Sequence, residues 1–139
     1  MKVFVASVGK GTKTPTGTFK TTKGQVWGSL IGVVYGQYST RIVGSILFHS
    51  VPYYSRNKND LEWQEYNKLG TKASAGCVRL TVRDSKWIYD NIEVGTIVKI
   101  YDGQIPNGIT KPSTQKIPVD SPNKGWDPTD PDKNNPWKK

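Results

Sequence analysis

The chain has 139 residues, five Trp, seven Tyr and 35% hydrophobic content, which fits one domain with a modest, aromatic-rich β core and excludes a Leu/Ala helical bundle. A formal charge of +9 draws it toward a polyanion, either nucleic acid or an anionic bacterial wall, yet zinc-finger spacing and the RRM aromatic signature are both missing and the lysines are scattered singly, so no specific nucleic acid is expected. One cysteine and one histidine exclude an internal disulfide and a four-ligand structural zinc, and no metal or other cofactor is expected.

In chain order, Val3-Phe4-Val5-Ala6-Ser7-Val8 reads as a β-rich apolar strand, ended by Gly9-Lys10-Gly11 and followed by the turn Thr14-Pro15-Thr16-Gly17. In that turn Pro15 fixes φ and Gly17 tolerates a positive one; it is either part of a functional site or a hairpin connector. Val33–Tyr35, Tyr38–Val43 and Ser45–His49 read as strands. His49 therefore closes an apolar strand, a place from which an imidazole faces a cleft, with Trp27, Tyr35 and Tyr38 as candidate walls. Residues 51–73 form a long connection. Its first half is polar, and its second places Leu61, Glu65 and Leu69 on one face of a short helix stopped by Gly70. A long connection beside a reactive group serves as lid or wall, and Tyr53 and Tyr54 are its expected substrate-facing residues.

Thr81-Val82-Arg83-Asp84 opens a second helix with Thr81 as N-cap, running to about Ile92, and Val94–Tyr101 reads as a closing strand. Because this helix starts just after Cys77, its positive end is expected to help hold a thiolate. Residues 1–102 are the expected folded domain. Residues 103–139 hold seven of the nine prolines and the near-repeat Asp127-Pro128-Thr129-Asp130-Pro131-Asp132, a composition typical of extended or disordered chain. Trp126 and Trp137 are costly to leave in water, so the tail is expected to form a partly ordered strap, with wall attachment as the alternative.

The only cysteine stands in Ser74-Ala75-Gly76-Cys77-Val78-Arg79, and the only histidine in Leu47-Phe48-His49-Ser50. A free thiol titrates near pH ~8.5 and needs a neighbour to become a nucleophile. Cys77 as nucleophile with His49 as base, giving a thiolate–imidazolium pair, is the one such pair available. Gly76 lets the backbone bend sharply, and the N–H groups of Gly76 and Cys77 are then aimed at an oxyanion. The alternative is a buried cysteine that acts as a small hydrophobe, next to a core histidine. Arg79 either binds a substrate carboxylate or braces the loop.

Together, Ser74–Arg79, His49-Ser50 and Thr14-Pro15-Thr16-Gly17-Thr18-Phe19 resemble the catalytic domain of bacterial L,D-transpeptidases, and the resemblance covers most of residues 1–102. It implies a mainly β fold, a β-sandwich or open barrel with one or two short helices. It also implies an enzyme that cross-links peptidoglycan stem peptides. Cys77 would attack the carbonyl of the diamino acid in a tetrapeptide stem and expel D-alanine; a side-chain amine on a second stem would resolve the thioester into a 3→3 cross-link. By the same resemblance the Ser50 carbonyl orients His49, Ser74 buttresses the site, and β-lactams of the carbapenem class are inhibitors. The place implied is extracytoplasmic, at the cell wall, although Met1–Val5 carries no signal-peptide h-region. A monomer is expected. Water as acceptor would give an L,D-carboxypeptidase instead, and a catalytically silent wall-binding module is the non-enzymatic alternative. Two departures stand out: Ala75 occupies a position where many relatives have histidine, and no counterpart of the family's first strand pair precedes Val3.

Overall fold

The computed structural model describes residues 1–138. Three strands rich in β-branched and aromatic residues build the centre: β3 (Thr22–Leu30), β4 (Val34–Val43) and β5 (Ile46–Ser50) form an antiparallel meander. β4 is one continuous strand where the sequence suggests two pieces. A fourth strand, β7 (Val78–Leu80), joins the far side of β5 in parallel, with Phe48 opposite Val78 and His49 opposite Arg79. The sheet order is thus β3-β4-β5-β7, flanked by two small pairs, β1 (Val8–Gly9) with β6 (Lys72–Ser74) and β2 (Gly17–Lys20) with β8 (Ile97–Ile100).

The expected first strand is much shorter than its composition suggests. Only Ser7 to Gly9 form β-bridges with other segments, while Val5 is buried and Phe4 meets Trp87 edge-on at 5.9 Å. The apolar run is used for packing against a helix rather than for a ladder.

That helix, α2 (Val82–Asn91), starts where Thr81 accepts a hydrogen bond from the Asp84 N–H, as its sequence predicts. The shorter α1 (Trp63–Tyr66) ends before Gly70, whose φ of 97° stops the chain from continuing. Leu61, Tyr66 and Leu69 point into the core with Val51, Tyr53, Val82 and Ile117. Ile117 belongs to the proline-rich tail.

The tail is an ordered strap. Asn67 pairs with Ile117 through both its amide groups, at 2.7 and 2.9 Å, and Leu61 N–H donates to the Gly125 carbonyl. Asp127, Asp130 and Asn135 are all buried. Asp130 accepts from the Gln37 side chain, and Asp132 pairs with Lys58 at 2.9 Å. Trp137 packs on the core and donates its indole N–H to the carbonyls of Asn123 and Trp126. Proline, which removes donors, and aspartate, which supplies acceptors for the N–H two residues on, make this shape without a ladder.

Candidate active site

Adjacent parallel strands bring the two singular residues together. Side chains along a strand alternate between faces, so Cys77 and Arg79 share a face of the sheet, and the register places His49 on that face opposite Arg79. Cys77, Arg79 and His49, with Ser74 and Ala75, line one hollow of about 220 Å³.

The cysteine loop is held from three sides. Gly76 takes a φ of 140°, a conformation costly for any side chain, and a Cβ there would stand 2.9 Å from Ile46 Cδ1. Ser74 Oγ donates to the Cys77 carbonyl at 2.6 Å and accepts from the Gly76 N–H at 3.1 Å. Thr14, from the Thr-Pro-Thr-Gly turn, donates its hydroxyl to the Gly76 carbonyl at 2.6 Å and accepts from the Gly9 N–H at 2.7 Å. The turn is therefore part of the site's frame and not a mere connector. Its role was signalled in the sequence only by the turn motif, because the contact spans 62 residues.

One expectation for the oxyanion donors changes. The Gly76 N–H is already taken by Ser74. Ala75 and Cys77 have N–H groups with no turn or loop hydrogen bond among the described residues, and these are the amides open to a ligand.

His49 is buried, and its Nδ1–H donates to the Ser50 carbonyl. That bond fixes the tautomer and leaves Nε2 as the acceptor. The Ser50 side chain accepts from the Gln37 N–H and donates to the Val51 carbonyl, locking the residue whose carbonyl orients the imidazole. Burial pulls the His49 pKa down to about 4; the Ser50 contact opposes this, and the positive Arg79 adds to it. Burial pushes the Cys77 thiol up, partly offset by a backbone contact with Leu47 and by the positive Arg79 and Arg41, and the thiol donates to the Ser45 carbonyl at 3.3 Å. Burial thus acts against both charged forms of the thiolate–imidazolium pair expected from the sequence.

The positive end of α2 does not serve the sulfur either. Its first N–H, on Val82, donates to the buried Asp127 carboxylate at 2.9 Å, and the next, on Arg83, to Thr129 Oγ1 at 3.1 Å. The tail occupies the helix terminus that the sequence reading assigns to a thiolate.

Among the other expected residues, Arg79 braces: its guanidinium bonds Glu65 of α1 at 2.8 Å while the side chain also borders the hollow. Tyr53 does not face a substrate. It is fully buried, its hydroxyl accepts from the Gln37 amide at 2.9 Å, and its backbone pairs with Tyr35. Trp27 stacks edge-on against Tyr53 at 5.1 Å, Tyr35 lies under Arg56, and Tyr54 is exposed; none of these four lines the hollow. Its outer wall is instead built from Leu30, Ile31, Val34 and Pro52 with Arg41 and Leu47. The hairpin tip between β3 and β4, with Ile31 and Val33 largely exposed, carried this signal in the sequence as an apolar patch at a turn.

A model of the L,D-transpeptidase catalytic domain, YkuD, matches residues 1–100. The chain belongs to the L,D-transpeptidase catalytic-domain family. Over 57 residues it is 53% identical to YciB of Bacillus subtilis (strain 168), which carries an L,D-transpeptidase name; the match spans 41% of this chain and 28% of that protein. The fold is similar to that of the L,D-transpeptidase from Mycobacterium smegmatis, with a TM-score of 0.60 at 21% identity over 73% of this chain and 49% of that one. It is also similar to LdtMt1 solved in complex with imipenem (TM-score 0.59, 21% identity, 73% and 49% covered). L,D-transpeptidase 3 from Mycobacterium tuberculosis, solved with a faropenem-derived adduct, aligns with a TM-score of 0.54 at 22% identity (71% and 44% covered). The chain spans about half the length of these solved relatives and just over a quarter of YciB. Among the described residues no helix is long and apolar enough to cross a membrane.

Proposed function

We propose that this domain is a cysteine acyltransferase that forms 3→3 cross-links between peptidoglycan stem peptides at the cell wall. The observation that carries the reading is the shared hollow of Cys77 and His49, with the Nδ1–H of His49 committed to Ser50 and Nε2 left as acceptor. In the first half-reaction Nε2 takes the thiol proton as the sulfur attacks the carbonyl of the diamino-acid residue. Because burial disfavours both charged forms, transfer and attack are coupled in this reading. The oxyanion is met by the Cys77 and Ala75 N–H groups, each well-placed donor being worth about 2.7–4 kcal/mol. The His49 imidazolium then gives its proton to the departing D-alanine amine, leaving a thioester on Cys77. In the second half a side-chain amine of another stem displaces the sulfur; with water instead, the product is that of an L,D-carboxypeptidase.

Intact mass after incubation with a carbapenem tests the assignment. The wild-type chain is expected to gain one inhibitor mass and Cys77→Ala none. A folded wild-type chain that gains no adduct refutes the nucleophile.

A further inference from the structure

Beside the Cys77 hollow lies a second one of about 300 Å³, and Ser29, Arg41 and Leu47 border both. Its floor is where glycines let β3 lie close against β4. Gly24 and Gly28 both line it. A Cβ on Gly24 would fall 1.6 Å from the Ser39 carbonyl oxygen, and one on Gly28 would stand 3.1 Å from Ser39 Oγ. What flanks this floor is one-sided in charge. Lys23 and Arg41 line it, Arg79 borders the adjoining hollow, and neither hollow has an Asp or Glu in its wall among the described residues. Arg79 is neutralised by Glu65. Arg41 has only the neutral Gly44 carbonyl for a partner, and Lys23 has no ion pair among the described residues. Two uncompensated cations over an open polar floor bind an anion, and the planar Arg41 guanidinium suits a carboxylate.

We infer that the Lys23–Arg41 trough is a carboxylate subsite for the amine acceptor, holding a free carboxylate of the acceptor peptide while its side-chain amine reaches the thioester on Cys77. The inference rests on the acyl-enzyme reading above. The step balances simply: the amine nitrogen forms the C–N bond, the C–S bond breaks, and the ammonium proton passes through His49 to the released sulfur. A neutral acceptor lacking the carboxylate would leave both cations hydrated and gain nothing from them.

The experiment compares Nα-acetyl-lysine with Nα-acetyl-lysinamide as acceptors. The two carry the same side-chain amine and differ only in the carboxyl group. The acyl-enzyme is first formed with a tetrapeptide stem and detected by mass, which tests the underlying reading independently. With wild-type chain the KM for the carboxylate is expected to be about tenfold lower than for the amide, the scale of one charge-assisted hydrogen bond. Lys23→Gln and Arg41→Gln should each shrink that ratio, and the double variant should bring it to about one. Because each variant is compared with itself on two acceptors, any change in acylation cancels. An acyl-enzyme that forms while the wild type shows equal KM values overturns the subsite, as does a tenfold preference that survives in the double variant. Absence of any acyl-enzyme overturns the acyltransferase reading and the subsite with it.

Discussion

Asp127 offers a quantitative test of how the tail is attached. Its carboxylate is fully buried and accepts from the Val82 N–H at 2.9 Å, the Thr129 N–H at 2.7 Å and the Thr129 hydroxyl at 2.7 Å. Burial pushes its pKa up to about 6 against the pull of those hydrogen bonds, with Asp130 adding to the rise. A carboxyl whose folded pKa lies above its unfolded value of about 3.9 stabilises the fold when protonated, fully below the unfolded pKa, and loses that contribution as pH rises through 6. Between pH 7 and pH 5 the linkage is worth about 1.4 kcal/mol in favour of the acidic condition. Asp127→Asn keeps an oxygen acceptor for Val82 and removes the charge, while its NH2 replaces the oxygen that accepts from the Thr129 N–H. Its stability relative to the wild type should therefore fall by about 1.4 kcal/mol from pH 7 to pH 5. Asp127→Ala strands a buried N–H at the start of α2 and should cost about 1–3 kcal/mol at pH 7. Urea unfolding followed by Trp fluorescence at both pH values measures all three. His49 is present in every variant, so its own titration cancels in the differences. If the Asn variant differs from wild type by the same amount at both pH values, or the Ala variant is as stable as the Asn variant, the buried carboxylate is not the tie described.

His49, held near pKa 4 by burial, should remain a competent base well below the ordinary imidazole range. The acid limb of the carbapenem acylation rate is expected near pH 4, measured by stopped mass spectrometry across pH 3.5–8, and a limb near the unperturbed value of about 6.5 would refute the buried placement. For stability the sign is opposite to that of Asp127: a depressed histidine contributes stability that is present above the unfolded pKa and lost as pH falls through the folded one. From pH 7 to pH 5 His49 costs roughly 2 kcal/mol, which nearly offsets the gain from Asp127 and predicts a flat stability profile there. Thr14→Val removes both hydrogen bonds that tie Gly9 and Gly76 to the turn. It should cost about 1–3 kcal/mol in urea unfolding and about tenfold in acylation rate through the displaced loop; unchanged acylation would make the turn structural only.

The pairing of Cys77 with His49 in one hollow was the most legible part of the candidate site because the sequence left no choice: one thiol, one imidazole and a glycine before the cysteine. The strand that carries His49 was legible too, since its β-branched and aromatic run reads as extended chain, whereas the short strand Val78–Leu80 was not, because its pairing with β5 is made across a long separation. What could not be read were the contacts made across long separations. Tyr53 resembles a loop aromatic by its neighbours, but its hydroxyl meets Gln37 and its ring meets Trp27, so the hydrogen bond lets a polar tip be buried with the ring. The tail reads as a partly ordered strap only through its tryptophans, and its attachment points were hidden because its acceptors are matched to donors on Gln37, Lys58 and Val82, none of them nearby in sequence. That matching also explains why the helix-dipole expectation failed. A helix end satisfies the acceptor that reaches it, and the Asp127 carboxylate arrives bonded and buried, whereas the Cys77 thiol donates to Ser45 instead. With the dipole committed to the tail, what opposes the burial of the thiol is the Leu47 backbone contact and the positive Arg79 and Arg41. On the acyltransferase reading proposed above, burial of His49 disfavours its charged form in the empty hollow and so favours a proton that moves as the C–S bond forms.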